Sequence, residues 1–530
     1  MTDPAKIVSK GMLKGHPVEA FTPVWGCAAA RIARSAWVDC GLEVFLRADV
    51  PYGATSSGRL SHDAVALLLE TGKKSHRCRF LEIGAGSGIF AKLFLDALKA
   101  DAPDIYDNCT YILTDGNAKM LESQAEYGVL AGHEAHIETR VFDASGAWPE
   151  DFTGTFDAVF GSYILDSLPV EFLIVGESGI QRMEARCALP AKNEALEDAL
   201  KTPGFAHLAP FLHLTKSMGI QSRHMPAPAL PYASAIGAAE GEDTPMVHSH
   251  GALACMENIA HALCPGGFAM LSDYGTIARR EPSETIEFQS FGASAAYAVN
   301  FHQIDAHFAA HPVSYLKPEA EEGYLITRVF YNGEAEILAP MVDLLFGEVR
   351  QRALRLPVDA AREMLRANAF HAARRLYAKA MELQPQNWAL AEEVAELLLL
   401  SSKDYADAKA LAEFGLSLNP FAPGLHRIVA EACFELDDMS GAEQALKTCL
   451  HYAGDTAAAR LLEAKIQLKS GTHEAALLAI AKGLAVDRES DLRDALLTLQ
   501  NDILLEISIG AREDLLNEVN RQRTLDGLPL

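Results

Sequence analysis

The run RFLEIGAGSGIF, Arg79 to Phe90, constrains this chain more than any other, because it sets an acid and three alternate glycines where a short apolar strand meets a helix. Phe80, Leu81 and Ile83 predict the strand and Ile89 to Leu98 the helix. Gly84, Gly86 and Gly88 permit a tight turn whose backbone can approach a ligand. The spacing is GxGxG. A dinucleotide fingerprint needs GxGxxG, and position 89 is Ile, which counts against a nicotinamide oxidoreductase. Glu82, just ahead of the first glycine, would repel a pyrophosphate and attract the ammonium of a methionine-like tail. With Ala85 these residues predict a cradle for an adenosyl cofactor; the plainer alternative is an ordinary tight turn in an α/β domain.

More apolar strands follow, each ending on a small or acidic residue. Thr110 to Thr114 runs into Asp115 and Gly116, where Asp115 would accept from two ribose hydroxyls or cap a helix starting near Lys119. Ile137 to Phe142 stops at Asp143 and Ala144, and Asp143 is placed to accept from an adenine amino group. Phe156 to Phe160 leads into Gly161, Ser162 and Tyr163. Later come a helix over Ala252 to Leu263, a turn at Pro265-Gly266-Gly267, and a strand over Phe268 to Ser272 that ends on Asp273, Tyr274 and Gly275. Strands whose ends carry polar groups in series predict an open, doubly wound parallel sheet, with a ligand outside its carboxyl edge. Residues 217–250, rich in Pro, Ala, Gly and His, read as an inserted loop or lid. His248 and His250 are expected to face solvent there, and no third ligand at matching spacing implies a metal.

At 530 residues the chain calls for two or three domains. With 46 basic and 71 acidic residues, a formal charge of -25, and no basic run, it offers no surface for nucleic acid. No signal-like or membrane-spanning stretch is apparent, and nine scattered cysteines without metal-ligand pairs read as thiols of a reducing, cytoplasmic compartment. The second half obeys a different rule. Phe370, Tyr405, Met439 and His473 recur at intervals of 35, 34 and 34 residues, each followed three places on by alanine, and Pro385, Pro420, Gly454 and Arg488 stand fifteen residues after them. Small residues at helix crossings, with turn residues between units, predict stacked helical hairpins. The expected segments are therefore 1–75, a helical approach to the cofactor site; 76–345, the α/β domain; 354–488, about four hairpins; and 489–530, a capping helix, Leu492 to Val519, with a tail.

Residues 354–488 resemble tetratricopeptide repeats, although His473, Gly454 and Arg488 replace the usual aromatic and proline positions. Residues 76–330 resemble the MidA-like class I methyltransferases, the family that includes a mitochondrial complex I assembly enzyme acting on a protein arginine. Four segments carry that resemblance: FLEIGAGSGIFA, YILTDGNAKMLESQ, ILDSLPVEFL with a following strand that bears Glu184, and GGFAMLSDYG. It implies a Rossmann-like class I fold, S-adenosylmethionine as cofactor and methyl transfer as the reaction. Where the family carries Asn-Glu ahead of its ILDSLP-like element, this chain has Ser162 and Tyr163, which favours an acceptor other than arginine.

Methyl transfer from a sulfonium requires an aligned nucleophile and a destination for its proton. Tyr163 would shape a cation-friendly pocket or hydrogen-bond the acceptor. Asp166 would orient the acceptor or take its proton, or else only cap the turn into Leu168-Pro169. Asp273 and Tyr274 would close the pocket from a neighbouring strand, and Glu184 could supply a further carboxylate. The expected partner is a protein or peptide substrate held by the repeats, and the chain could also self-associate as a homo-oligomer. Two other readings stay open: a small-molecule methyltransferase whose repeats serve assembly, and a cofactor-binding adaptor with little activity.

Overall fold

The computed structural model describes residues 15–38, 40–47, 52–53, 56–73, 77–177, 179–237, 244–277, 289–291, 294–323, 325–487 and 492–525. Two compact units result: Met1–Arg362 with Glu382–Gln386, and Glu363–Met381 with Asn387–Leu530.

The first unit is built on an eight-stranded sheet whose main path comprises β1 (Cys78–Ile83), β2 (Cys109–Asp115), β3 (Ile137–Val141), β4 (Phe156–Ser162), β5 (Leu263–Thr276), β6 (Ser314–Leu316) and β7 (Leu325–Tyr331), with the short strand Val299–Asn300 added parallel to the end of β5. Their spatial order is β3-β2-β1-β4-β5-β7-β6. The pairs from β3 to β5 are parallel, and β7 runs antiparallel to both β5 and β6. Chain direction across the sheet reverses between β1 and β4, so a crevice opens at their carboxyl ends.

Period-two alternation gives the sheet two buried faces. Phe80, Tyr111, Phe160, Phe268 and Val329 pack under α1 (Arg59–Glu70), α2 (Ile89–Asp101) and a later helix, Ala335–Phe346. Leu81, Ile83, Ile112, Val159 and Leu271 pack on the other side under the helices His250–Ala262 and Phe301–Phe308. Aromatic rings tie the first face together, with Phe94 and Phe160 centroids 4.9 Å apart and Phe80 and Phe94 5.2 Å apart. This three-layer α/β arrangement is the expected fold class.

Two local expectations are corrected. Pro265-Gly266-Gly267 is no free turn; it lies inside β5, where the register against β4 shifts between Leu263 and Phe268 and Gly266 takes φ +72°. Residues 217–250 are not a plain loop. Gly219–Pro226 is a strand paired antiparallel with Gly179–Leu189, and Thr244–His248 pairs with Glu171–Gly176, so these segments extend a second sheet. The composition concealed them because Gly219–Pro226 has mostly exposed polar side chains and so lacks a buried-face alternation. Residues 238–243 of that stretch lie outside the described residues. The short strands His16–Pro17 and Thr22–Pro23 also pair with Gly179–Leu189, and the helix Ala28–Ser35 follows them.

The second unit is helical. Helices start at each of the recurring markers: Phe370–Leu383, Tyr405–Leu418, Met439–Ala453 and His473–Val486. They alternate with Trp388–Leu397, Pro423–Glu435, Ala457–Lys469 and Arg493–Leu525. Ala373, Ala408, Ala442 and Ala476 are all fully buried, as close helix crossings require. Leu496 and Ile503 of the last helix cover Ala476, Ala479 and Ile480. The marker Arg488 lies outside the described residues.

Candidate active site

The carboxyl edge between β1 and β4 gathers most of the expected residues. Gly84, Gly86 and Gly88 take φ values of +66°, +51° and +72°, a region that side chains with a Cβ rarely enter. A Cβ on Gly86 would stand 3.1 Å from the Phe45 ring, and one on Gly84 would meet Ile164 at 3.1 Å. The turn is fastened from several sides. Ala85 N–H donates to Thr114 O at 2.8 Å, and Gln124 Nε2 donates to Gly86 O at 2.7 Å.

Glu82 lies beneath this turn, on the face of β1 shared with Phe80. Tyr111 on β2 donates its hydroxyl to Glu82 Oε2 at 2.9 Å. Burial pushes the Glu82 carboxyl up to about 8, against the pull of that hydrogen bond and with a smaller push from Asp115. The protonated form therefore predominates at neutral pH, until a cation arrives beside it. Tyr111 is not among the residues expected from sequence; it is the one phenol of its strand, at the register position opposite Phe80.

Asp115 ends β2 with one oxygen for each of two amides: Oδ1 accepts from Asn117 N–H at 2.9 Å and Oδ2 from Gly86 N–H at 3.2 Å. Burial raises its pKa. The carboxylate thus braces the glycine turn and keeps lone pairs for further donors. It does not cap the next helix, Ala118–Glu126; Asn117 does, accepting from Lys119 N–H at 3.0 Å. Gly116 beyond it is exposed, and Ala144 is buried after β3. Asp143 is exposed, and its Oδ1 accepts from Ser145 N–H and hydroxyl at 2.9 and 2.7 Å. It forms a local turn with one oxygen left over.

Past β4, Ser162 pairs in register with Ser272, and Tyr163 takes φ +54°, an uncommon backbone state for a bulky residue. Tyr163 is 37% exposed, yet desolvation of its phenol, with Asp273 and Asp166 nearby, pushes it up to about 12, so it is neutral. The short turn Leu165–Ser167 then places Asp166 next to Asp273 of β5. Asp273 is fully buried and accepts three amides: Leu165 and Asp166 at Oδ2, 2.7 and 3.3 Å, and Tyr274 at Oδ1, 2.7 Å. Burial pushes Asp166 up to about 7. Asp273 is raised as well, by burial first and then by Asp166. The turn is thus held by Asp273, and Asp166 does not cap it. Asp166 carries a buried carboxyl with no hydrogen-bond partner among the described residues.

Glu184 does not join this group as a free carboxylate. It sits directly across from Arg223 in the second sheet, whose Nε and Nη2 donate to Glu184 Oε2 at 2.9 and 2.7 Å, while Arg182 donates to Oε1 at 3.2 Å. Those partners hold its carboxyl below the usual range. His248 is also corrected. It is buried rather than solvent-facing, donating from Nε2 to Pro231 O at 2.7 Å and accepting at Nδ1 from Gln303 at 2.6 Å. Two of the scattered cysteines do meet in space. Cys27 and Cys187 lie with Glu19 in a group whose potential ligand atoms are all within 4.8 Å, and Glu19 already accepts from Ala28 and Cys187 amides. Sequence spacing could not show it. Among the described residues no helix is long and apolar enough to cross a membrane.

An adenosyl cofactor fits these residues: a glycine turn that a Cβ would obstruct, a bracing carboxylate with spare lone pairs at the end of β2, and a buried acid under the turn. Residues 60–309 match the family described as "Putative S-adenosyl-L-methionine-dependent methyltransferase". Among solved structures, the chain is similar to an uncharacterized superfamily protein from Burkholderia thailandensis at 18% identity, covering 59% of this chain and 87% of that one, with a TM-score of 0.38. A second Burkholderia thailandensis member of that superfamily, bound to S-adenosyl-homocysteine, is similar at 19% identity over 56% of this chain and 74% of the other, with a TM-score of 0.36. A thermophilic TPR protein of Thermus thermophilus is similar at 18% identity over 33% of this chain and 98% of its own, with a TM-score of 0.27. No curated protein matches the chain.

Proposed function

We propose that this S-adenosylmethionine-dependent methyltransferase modifies a side chain of a protein or peptide, with Asp166 receiving the acceptor's proton. The observation that carries the reading is the buried, unpartnered Asp166 carboxyl, which acts on the Tyr163 phenol and sits on the turn whose Ile164 packs against Gly84. S-adenosylmethionine supplies a methyl carbon already activated on a sulfonium, from which sulfur departs neutral with the bonding pair. The protein then needs to align a lone pair and hold the displaced proton. A carboxyl raised to about 7 is well matched to that task near neutral pH. The neutral phenol of Tyr163 donates to or orients the acceptor, and Asp273 fixes the turn on which Asp166 sits.

A macromolecular acceptor is supported by the second unit. Alternating helices at a period of 34 to 35 residues form the kind of extended surface that repeat proteins use for peptides and folded partners. The net charge of -25 favours a basic or neutral partner. The resemblance to MidA-like enzymes supports a protein substrate, while Ser162 and Tyr163, in place of an Asn-Glu pair, favour an acceptor other than arginine.

The test incubates the full chain and methyl-labelled cofactor with cell extract, separates macromolecules from metabolites and locates the label by mass spectrometry. Label on a protein side chain, absent with Asp166→Asn, is expected. Label confined to metabolites would replace this reading with the small-molecule one. Cofactor binding without any labelled product would favour the adaptor.

A further inference from the structure

We propose that Arg59 clamps the carboxylate at the methionine end of the cofactor. The inference rests on the S-adenosylmethionine reading of the site and assigns a residue that no sequence motif marked.

Arg59 opens α1 directly after Gly58, which takes φ +90°. A cation at the positive end of a helix is locally unfavourable, so the helix itself gives no reason for one there. Its neighbours do not neutralise it either. Asp63, one turn on, is 3.5 Å from Arg59 Nη1, a poor hydrogen-bond distance. Asp63 is instead forked by Arg350, at 2.9 Å to Oδ2 and 2.8 Å to Oδ1.

Arg59 lines a cavity of about 210 Å³ together with Gly275, Thr276, Glu321, Glu322 and Thr327. The two acids on that lining are already paired. Glu321 receives both terminal nitrogens of Arg328 at 2.8 and 2.7 Å, and Glu322 receives Arg352 at 3.0 Å and also Arg355. Asp63, Glu321 and Glu322 thus each have a closer guanidinium, and Arg59 keeps only its long contact to Asp63, its other donors without a partner among the described residues. Burial lowers its pKa, with Arg350 pushing the same way and Asp63 and Tyr163 opposing. A desolvated, under-paired guanidinium favours an anion that can supply two parallel acceptors.

Position identifies the anion. Ser56, three residues before Arg59, has its hydroxyl 3.5 Å from that of Ser87 in the glycine turn, and Arg59 interacts electrostatically with Tyr163 at the end of β4. Asp115, at the end of β2, braces the opposite side of the same turn. A ligand with its ribose at Asp115 that crosses the turn brings its amino-acid end toward Arg59. The anionic group of that end is a carboxylate.

The test is calorimetric titration of the full chain with S-adenosylmethionine and with its decarboxylated analogue, for wild type, Arg59→Gln and Arg59→Lys. Wild type should prefer the carboxylate-bearing compound, and Arg59→Gln should weaken that compound by about tenfold to a hundredfold while leaving the analogue unchanged. Arg59→Lys should recover part of the loss, since a point charge replaces a fork. Equal loss for both compounds would mean that Arg59 acts only through the fold, and loss for neither would mean that it makes no contact; each overturns the proposal. Should Arg59→Gln fail to fold, the wild-type comparison decides, because equal affinity for the two compounds also overturns it. Failure of wild type to bind either compound would remove the cofactor reading as well, whereas binding without carboxylate preference removes this inference alone.

Discussion

Asp273 holds the turn that carries Asp166: its Oδ2 accepts the Leu165 N–H at 2.7 Å and the N–H of Asp166 itself at 3.3 Å, while Oδ1 accepts from Tyr274 at 2.7 Å. Three backbone amide donors hold Asp273 in place, whereas the side chain of Asp166 receives none and is pushed up to about 7 by burial alone, where it can exchange a proton near neutral pH. One acid is an anchor and the other a base.

These roles separate by mutation. Asp166→Asn should lower the labelling rate by about 10²- to 10⁴-fold with cofactor affinity nearly intact, because only proton removal is lost. Asp273→Asn turns an amide toward backbone donors and should cost about 1–3 kcal/mol of stability, read as a lower melting temperature. If Asp166→Asn works at the wild-type rate, Asp166 is merely buried and the base assignment is wrong.

Stability should fall as pH rises from about 6.5 to about 8.5. The carboxyls of Glu82 and Asp166 stand at about 8 and about 7 in the folded chain, against ordinary values of about 4.3 and 3.9. The folded state therefore binds more protons across this window, and the stabilisation present at lower pH is lost through the folded values. Below about 6.5 the buried His248, with its pKa lowered by burial, acts in the opposite sense, because the unfolded chain then takes up the proton. Melting curves of Glu82→Gln and Asp166→Asn should show a flatter pH dependence than wild type. An unaltered slope in both variants would contradict the raised values.

Cofactor binding should release protons at pH 7. Glu82 is protonated in the free chain, and the ammonium of a bound methionine tail would bring its pKa down. Titrations in two buffers of different ionisation enthalpy should give apparent binding enthalpies that differ in wild type and converge in Glu82→Gln. Identical enthalpies in wild type would place the ammonium elsewhere.

The sheet was legible in the sequence because each strand is a short apolar run ended by a polar or small residue, and the glycine turn because its three glycines all need φ above zero. The hairpin period was legible because buried alanines must recur at every helix crossing. Pairings between distant residues were not. Nothing local distinguishes Glu184, bound to Arg223 thirty-nine residues on, from a free carboxylate. Nor does spacing reveal that Asp273, one hundred and eight residues beyond Leu165, rather than Asp166, holds the turn. Gly219–Pro226 reads as loop because a strand with mostly exposed polar side chains shows no alternation.

Gly86→Val should abolish cofactor binding in a chain that still folds. The position requires φ +51°, and a Cβ there would press on Phe45 at 3.1 Å, so the branched side chain distorts the turn that Asp115 and Gln124 brace. Calorimetry and circular dichroism of the same preparation are the check. Wild-type affinity in this variant would show that the ligand does not approach the turn.

Ala442→Leu tests whether the helical unit acts on the acceptor rather than on the cofactor. Ala442 is fully buried on the helix Met439–Ala453, where an isobutyl group in place of a methyl must force helices apart at a cost of about 1–3 kcal/mol. All the cofactor-cradle residues belong to the first unit, so affinity for S-adenosylmethionine should stay at the wild-type value. Labelling of protein in extract should fall. The exposed neighbour Glu443, changed to leucine, is the control for added apolar surface alone. A parallel drop in cofactor affinity would mean that the helices support the cradle. Unchanged protein labelling, with the melting temperature lowered as expected, would detach the hairpins from substrate delivery.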